Sequence, residues 1–183
     1  MTRLVRAVDV PVLVDHSHFY LRSREAPVPS RFAFSDPNTV LLCDQDEIAL
    51  LSAGQSHQAH LRAEVWDGPP PPPPPDAEVE QGVVGFTDPH LQPYSLEPVP
   101  AELDLGEPGL YHVRAERTGS RDLVARLHAP GREGMVEGAE RFIVRFWPAA
   151  PEAQPTQSTL RKLSEQEQAM DAVWAFARQF PPS

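Results

Sequence analysis

The chain has 183 residues, 40% hydrophobic and 23% charged, which suits one globular core with an appended element. Sixteen Lys and Arg against 26 Asp and Glu give a formal net charge of -10, a field that repels phosphate backbones and anionic lipid heads and argues against nucleic acid and membrane surfaces as partners. A basic protein partner is instead attracted, and with no apolar run near the roughly 20 residues of a membrane helix, the expected compartment is the cytoplasm.

The N-terminal stretch has Asp9 and Pro11 inside its apolar run, so it reads as a first strand and not a signal peptide. Val8 to Leu21 favours a strand, with Pro11 placing its early half at an edge or bulge. Arg22 to Asn38 carries Pro27, Pro29 and Pro37, which predicts a surface loop long enough to contact a partner, with Phe32 and Phe34 as anchors. Thr39 to Cys43 and Glu47 to Leu51 then form a hairpin around Asp44-Gln45-Asp46. Cys43 is the single cysteine; in its apolar run, with no adjacent cation, it reads as a small buried hydrophobe.

Ser56 to Trp66 alternates His57, Ala59, Leu61, Ala63 and Val65 against polar neighbours, a long strand with an inside and an outside. Pro69 to Pro75 favours an exposed polyproline II rod, either a stiff connection between strands or a ligand for an aromatic groove of the SH3 or profilin type. Glu78 to Thr87 is the next strand, and Asp88-Pro89 starts a turn. Gly109 to Gly119 puts Tyr111, Val113 and Ala115 on one face. Ser120 is expected to cap a short helix carrying Leu123, Val124 and Leu127, which Pro130-Gly131 ends. Arg141 to Ala149 alternates Phe142, Val144 and Phe146 with Arg141, Ile143 and Arg145, and Pro148 closes it.

Residues 150-163 read as a Pro/Ala/Gln linker. Ser164 and Glu167 then match a capping box, and Met170, Val173, Trp174, Ala177 and Phe180 follow at helical spacing, so 164-183 is an amphipathic helix. The predicted fold is mainly β: a two-sheet antiparallel β-sandwich over 1-149 with this C-terminal helix attached.

Motifs for chemistry are sparse. His16 and His18 share one side of the first strand and, with other histidines and a carboxylate such as Glu25, could gather a metal, but the glycine and spacing of a cupin are missing. Trp66, Trp147 and Tyr94 could stack a sugar. There is no G-x-S-x-G and no phosphate loop, and the reading is of a non-enzyme with no cofactor.

The succession DHSHFYL, TVLLCDQDEIALLSA, HLRAEVWD, EVEQGVVGF, GLYHVRAERTG and RFIVRFWPA resembles an uncharacterised actinobacterial β-sandwich family that closes on a FWPA-type strand and then a helix. Through its H-x-F opening strand, G-x-Y-x-V-like strand and aromatic closing strand it also resembles, more remotely, the inhibitors of the competence DNA-entry nuclease of Gram-positive bacteria. The second resemblance implies a small acidic protein that silences a nuclease and assigns no inhibitory residue. The resulting expectation is an inhibitor or immunity-type partner of a nuclease or toxin. In it Asp44, Asp46, Glu47, Glu78 and Glu80, with Phe32 and Phe34, meet a basic surface. The alternatives are a metal- or carbohydrate-binding module or enzyme using the strand histidines, and an assembly component docking through its C-terminal helix.

Overall fold

The computed structural model describes residues 2-26 and 38-158. These form β1 (Leu4–Asp15), β2 (His18–Ser23), β3 (Leu41–Asp44), β4 (Glu47–Leu51), β5 (Ser56–Trp66), β6 (Glu78–Phe86), β7 (His90–Tyr94), β8 (Leu103–Asp104), β9 (Gly109–Thr118), α1 (Ser120–Leu127) and β10 (Glu137–Pro148). Phe32, Phe34 and the C-terminal helix expected over 164-183 lie outside the described residues. No described helix is long and apolar enough to cross a membrane.

The fold is mainly β, as its alternating sequences require, but it is one sheet curled until it nearly closes. The hydrogen-bonded path runs β3-β4-β2-β1-β5-β10-β9-β6, with β7 against β2 and β8 against β7. A barrel-like closure replaces the expected two-sheet sandwich, and a short turn explains the curl. His16 and Ser17 take positive φ of 50° and 67°, the conformation of a two-residue hairpin turn. β1 and β2 then pair only at Asp15 and His18 before they splay. The single strand expected over Val8 to Leu21 is therefore two strands meeting at a corner. The antiparallel expectation also fails at one pair, since β10 runs parallel to β5.

The strand faces follow the alternation. His57, Ala59, Leu61, Ala63 and Val65 point inward from β5, Tyr111, Val113 and Ala115 from β9, and Phe142, Val144 and Phe146 from β10. Inside, Phe19 meets Phe142 edge-on with centroids 5.1 Å apart, and Phe86 meets Phe146 at 5.9 Å. Each such fully buried phenyl contributes about 1.5 to 3 kcal/mol through the area removed from water. Pro11 is exposed in β1, which bonds alongside β5 there with Pro11 opposite His60.

α1 packs Leu123 into a small cluster with Val136 and Ala139. Its N-cap is Gly119, not the expected Ser120; the φ of 83° needs glycine, and a Cβ there would lie 1.9 Å from the Ala139 carbonyl oxygen. Ser120 turns its hydroxyl to Glu78 instead.

The two ends of the path, β3 and β6, approach each other and are joined by residues 156-158 of the expected linker. Thr156 N donates to Val83 O and Val83 N to Thr156 Oγ1, while Ser158 N donates to Cys43 O and Cys43 N to Ser158 Oγ. A short extended segment thus satisfies edge groups on both strands that closure alone leaves unpaired.

Candidate protein-binding surface

The acidic residues expected to face a partner are spread along the β3-β6 closure, and several are spent on it. Asp46, at the tip of the β3-β4 hairpin with φ 63°, is buried. Its carboxylate accepts from the Thr87 amide at 2.5 Å, from Thr87 Oγ1 and from Ser23 Oγ, while its own amide donates to Gly85 O. Glu47 is buried beside Arg22 at 3.7 Å, and Arg22 in turn lies over the Tyr94 ring. Glu80 Oε2 accepts from the amides of Val40 and Leu41, each at 2.6 Å, and so caps the start of β3. Glu78 pairs with Arg117 and accepts from Ser120 Oγ. Asp46 and Glu47 are therefore engaged as internal ties. Asp44 and Glu80 are half-buried and Glu78 is exposed.

Behind Glu78 lies a sealed polar cluster. Glu140, fully buried, accepts from Ser52 Oγ at 2.5 Å and from the Ala53 amide at 3.1 Å, with Arg117 Nε 3.9 Å away. His57, also fully buried, places Nε2 3.3 Å from Glu140, yet neither ring nitrogen makes a hydrogen bond among the described residues. Serine, histidine and carboxylate meet here, but the serine bonds to the carboxylate and not to the imidazole. All three are buried and the hydroxyl faces the wrong partner, so the trio is no nucleophilic relay.

A second polar array covers the outer face of β5, β10 and β9. Arg62 spans Asp9 and Glu64; Arg145 bridges Glu64 at 2.8 Å and Glu116; Arg114 also holds Glu116. Burial pushes the Glu64 carboxyl up, but hydrogen bonds from Arg62, Trp66 and Arg145 outweigh it and hold the group below the usual carboxylate range. Alternating Arg-x-Glu on β5 and β9 with Arg145 between them is the signal for this array. The strand patterns contain it, but adjacency of β5, β10 and β9 cannot be read from them.

The polyproline stretch explains why such a charged outer face is buried. β5 ends at Trp66, beside Phe146 and Trp147, whereas β6 starts at Glu78, at the level of Arg117, Phe142 and Leu61. The link must cross β10 and β9, roughly 14 Å, while descending roughly 16 Å along them. Seven prolines in polyproline II span about 22 Å, the length of that diagonal. Arg114 donates to the Pro71 carbonyl, and Pro70 is buried beneath the rod.

The other expected sites are not assembled. His16 Nδ1 sits 2.6 Å from Asp15, His18 Nδ1 bonds to His16 O, and no three His, Cys, Asp or Glu side chains come together as a metal-holding group among the described residues. Trp147 stacks on His112 and is 9% exposed, while Tyr94 packs in a separate cluster with Tyr20, Ala49 and Leu51. Trp66 is tied by Nε1 to Glu64.

Charge is distributed unevenly over this framework. Ala63 to Val113 contains ten acidic residues and no Lys or Arg, so the whole net charge of -10 resides there. Asp67, Asp76, Glu78, Glu97, Glu102 and Glu107 are exposed.

No family model matches the chain, and no curated protein matches it in sequence. Among solved structures it is similar to ComJ, the inhibitor of the DNA-degrading activity of NucA, from Bacillus subtilis, at 10% identity with a TM-score of 0.57 over 81% of this chain and 99% of that one. It is also similar to the crocagin biosynthetic gene J protein, at 12% identity and a TM-score of 0.51 over 79% of this chain and 98% of that one. At these identities the likeness is one of fold.

Proposed function

We propose that this chain is a non-catalytic protein-binding β protein, an inhibitor or immunity-type partner that silences another protein such as a nuclease or toxin. The observation that carries the reading is the fold shared with ComJ across 99% of that inhibitor. Two features of the chain support it. The Ser52, His57 and Glu140 cluster is buried and not open to a substrate, and the net charge is gathered in one arginine-free segment that suits a basic partner. The contact residues in this reading are Asp44, Glu78 and Glu80 together with Phe32 and Phe34, joined by the exposed acids of the same segment.

The test is capture of partners from the organism's own lysate on the tagged chain, eluted in steps of rising salt, followed by assay of the captured protein's activity with and without the chain. The expected result is one basic partner, released by salt because exposed charges are screened, whose activity falls to baseline at a 1:1 ratio. Activity unchanged by a stoichiometric excess, or no specific partner, overturns the inhibitor reading.

A further inference from the structure

Each proline fixes its own φ near -65° and holds the residue before it in the extended region, so Pro69 to Pro75 has one conformation open to it, a three-sided rod. Burial along the rod follows that period of three. Pro70 is buried and Pro73 half-buried, whereas Pro69, Pro71, Pro72, Pro74 and Pro75 are exposed. One edge is therefore seated on the sheet, clamped where Arg114 donates to the Pro71 carbonyl. The other two edges, Pro69/Pro72/Pro75 and Pro71/Pro74, face solvent.

The five solvent-facing prolines stiffen the crossover, and the same rings leave two apolar edges of the rod uncovered by the sheet. We propose that these two free edges are a preformed ligand for an aromatic-lined groove that reads bare polyproline. Such a groove grips the rod by its rings and carbonyls and gains affinity because the ligand is ordered beforehand. Here the order is imposed from both ends, by β5 and by β6. Charge narrows the class of reader. Asp67 and Asp76 flank the rod and Glu78 follows, but Asp67 lies beside the exposed Arg3 and Glu78 is paired with Arg117, so the flanks carry charges of both signs. A groove that grips rings and carbonyls without a charged specificity pocket fits this ligand.

The experiment titrates the isotopically labelled full chain with a purified profilin, used as a reader of unflanked polyproline, and follows backbone amide shifts. Since the prolines carry no amide, saturable shifts confined to the amides of Asp67, Gly68, Asp76 and Ala77 and to the β9 positions beneath the rod are expected, with affinity about tenfold tighter than for a free peptide of residues 67-77. The triple variant Pro69→Ser, Pro72→Ser, Pro75→Ser should lose this binding by tenfold or more while its melting temperature falls less than that of a variant of the seated edge. The pair Pro70→Ser, Pro73→Ser, on that edge, should lower the melting temperature more. Absence of saturable shifts with the intact chain, or a triple variant that binds as well as the parent, overturns the proposal. The inhibitor reading shares the acids that flank the rod but not the proline rings that the triple variant removes, so it survives either outcome.

Discussion

Cys43 stands where β3 meets the closing segment, 2% exposed, its amide bonded to Ser158 Oγ and its carbonyl to the Ser158 amide. Burial, joined by the nearby Glu80 carboxylate, pushes its thiol up to about 12. Thiolate is the reactive form, so the native protein at pH 8 should resist iodoacetamide for hours and become labelled within minutes in guanidinium. Rapid labelling under native conditions would show that the closure opens readily. The apolar run around Cys43 and the absence of an adjacent cation already pointed to an inert thiol. What the run could not show is Glu80, which is 37 positions away in sequence and arrives only through the β3-β6 approach. The same holds for Asp46: an acidic hairpin tip reads as solvated surface until Thr87 and Ser23 are placed around it.

At the scale of elements, alternation settled which face of each long strand is buried, because a period of two leaves only one choice. It could not settle neighbours. The parallel β5-β10 pair, the corner at His16-Ser17 and the role of residues 156-158 depend on contacts between segments far apart in sequence, and a Pro/Gln-rich stretch such as 151-158 has no periodicity to betray two hydrogen-bonding side chains. That closing segment makes a direct prediction. Replacing Thr156 by Val and Ser158 by Ala removes the side-chain acceptors of the Val83 and Cys43 amides, each worth about 1 kcal/mol. The double variant should lose about 2 kcal/mol of stability and exchange those two amides faster in hydrogen-deuterium exchange. Exchange limited to the parent's rate would mean that β3 and β6 hold the barrel shut without the segment.

Considered as a whole, the molecule separates its charge into two populations. The ladder of Arg62, Glu64, Arg145, Glu116 and Arg114, with the exposed Asp9 at its end, is paired internally, while Asp67, Asp76, Glu78, Glu97, Glu102 and Glu107 are exposed. The first population governs stability and the second governs encounter, so each responds to a different variable. Salt screens exposed charges strongly and buried pairs weakly, whereas acid acts on both by protonating carboxylates. For Glu64 the folded-state pKa is depressed below 4.5, so its contribution is complete above that pH and is lost as pH falls through the folded value. The melting temperature should therefore be flat from pH 8 to about 5, indifferent to salt, and should fall steeply below it. Glu64→Gln leaves Arg62 and Arg145 short of a partner at neutral pH and should cost about 3 kcal/mol. The variant should also lose less stability than the parent between pH 5 and pH 3, since the proton that the native carboxylate resists is no longer taken up. Parallel acid profiles for the two proteins would remove Glu64 from the account of the protein's acid sensitivity.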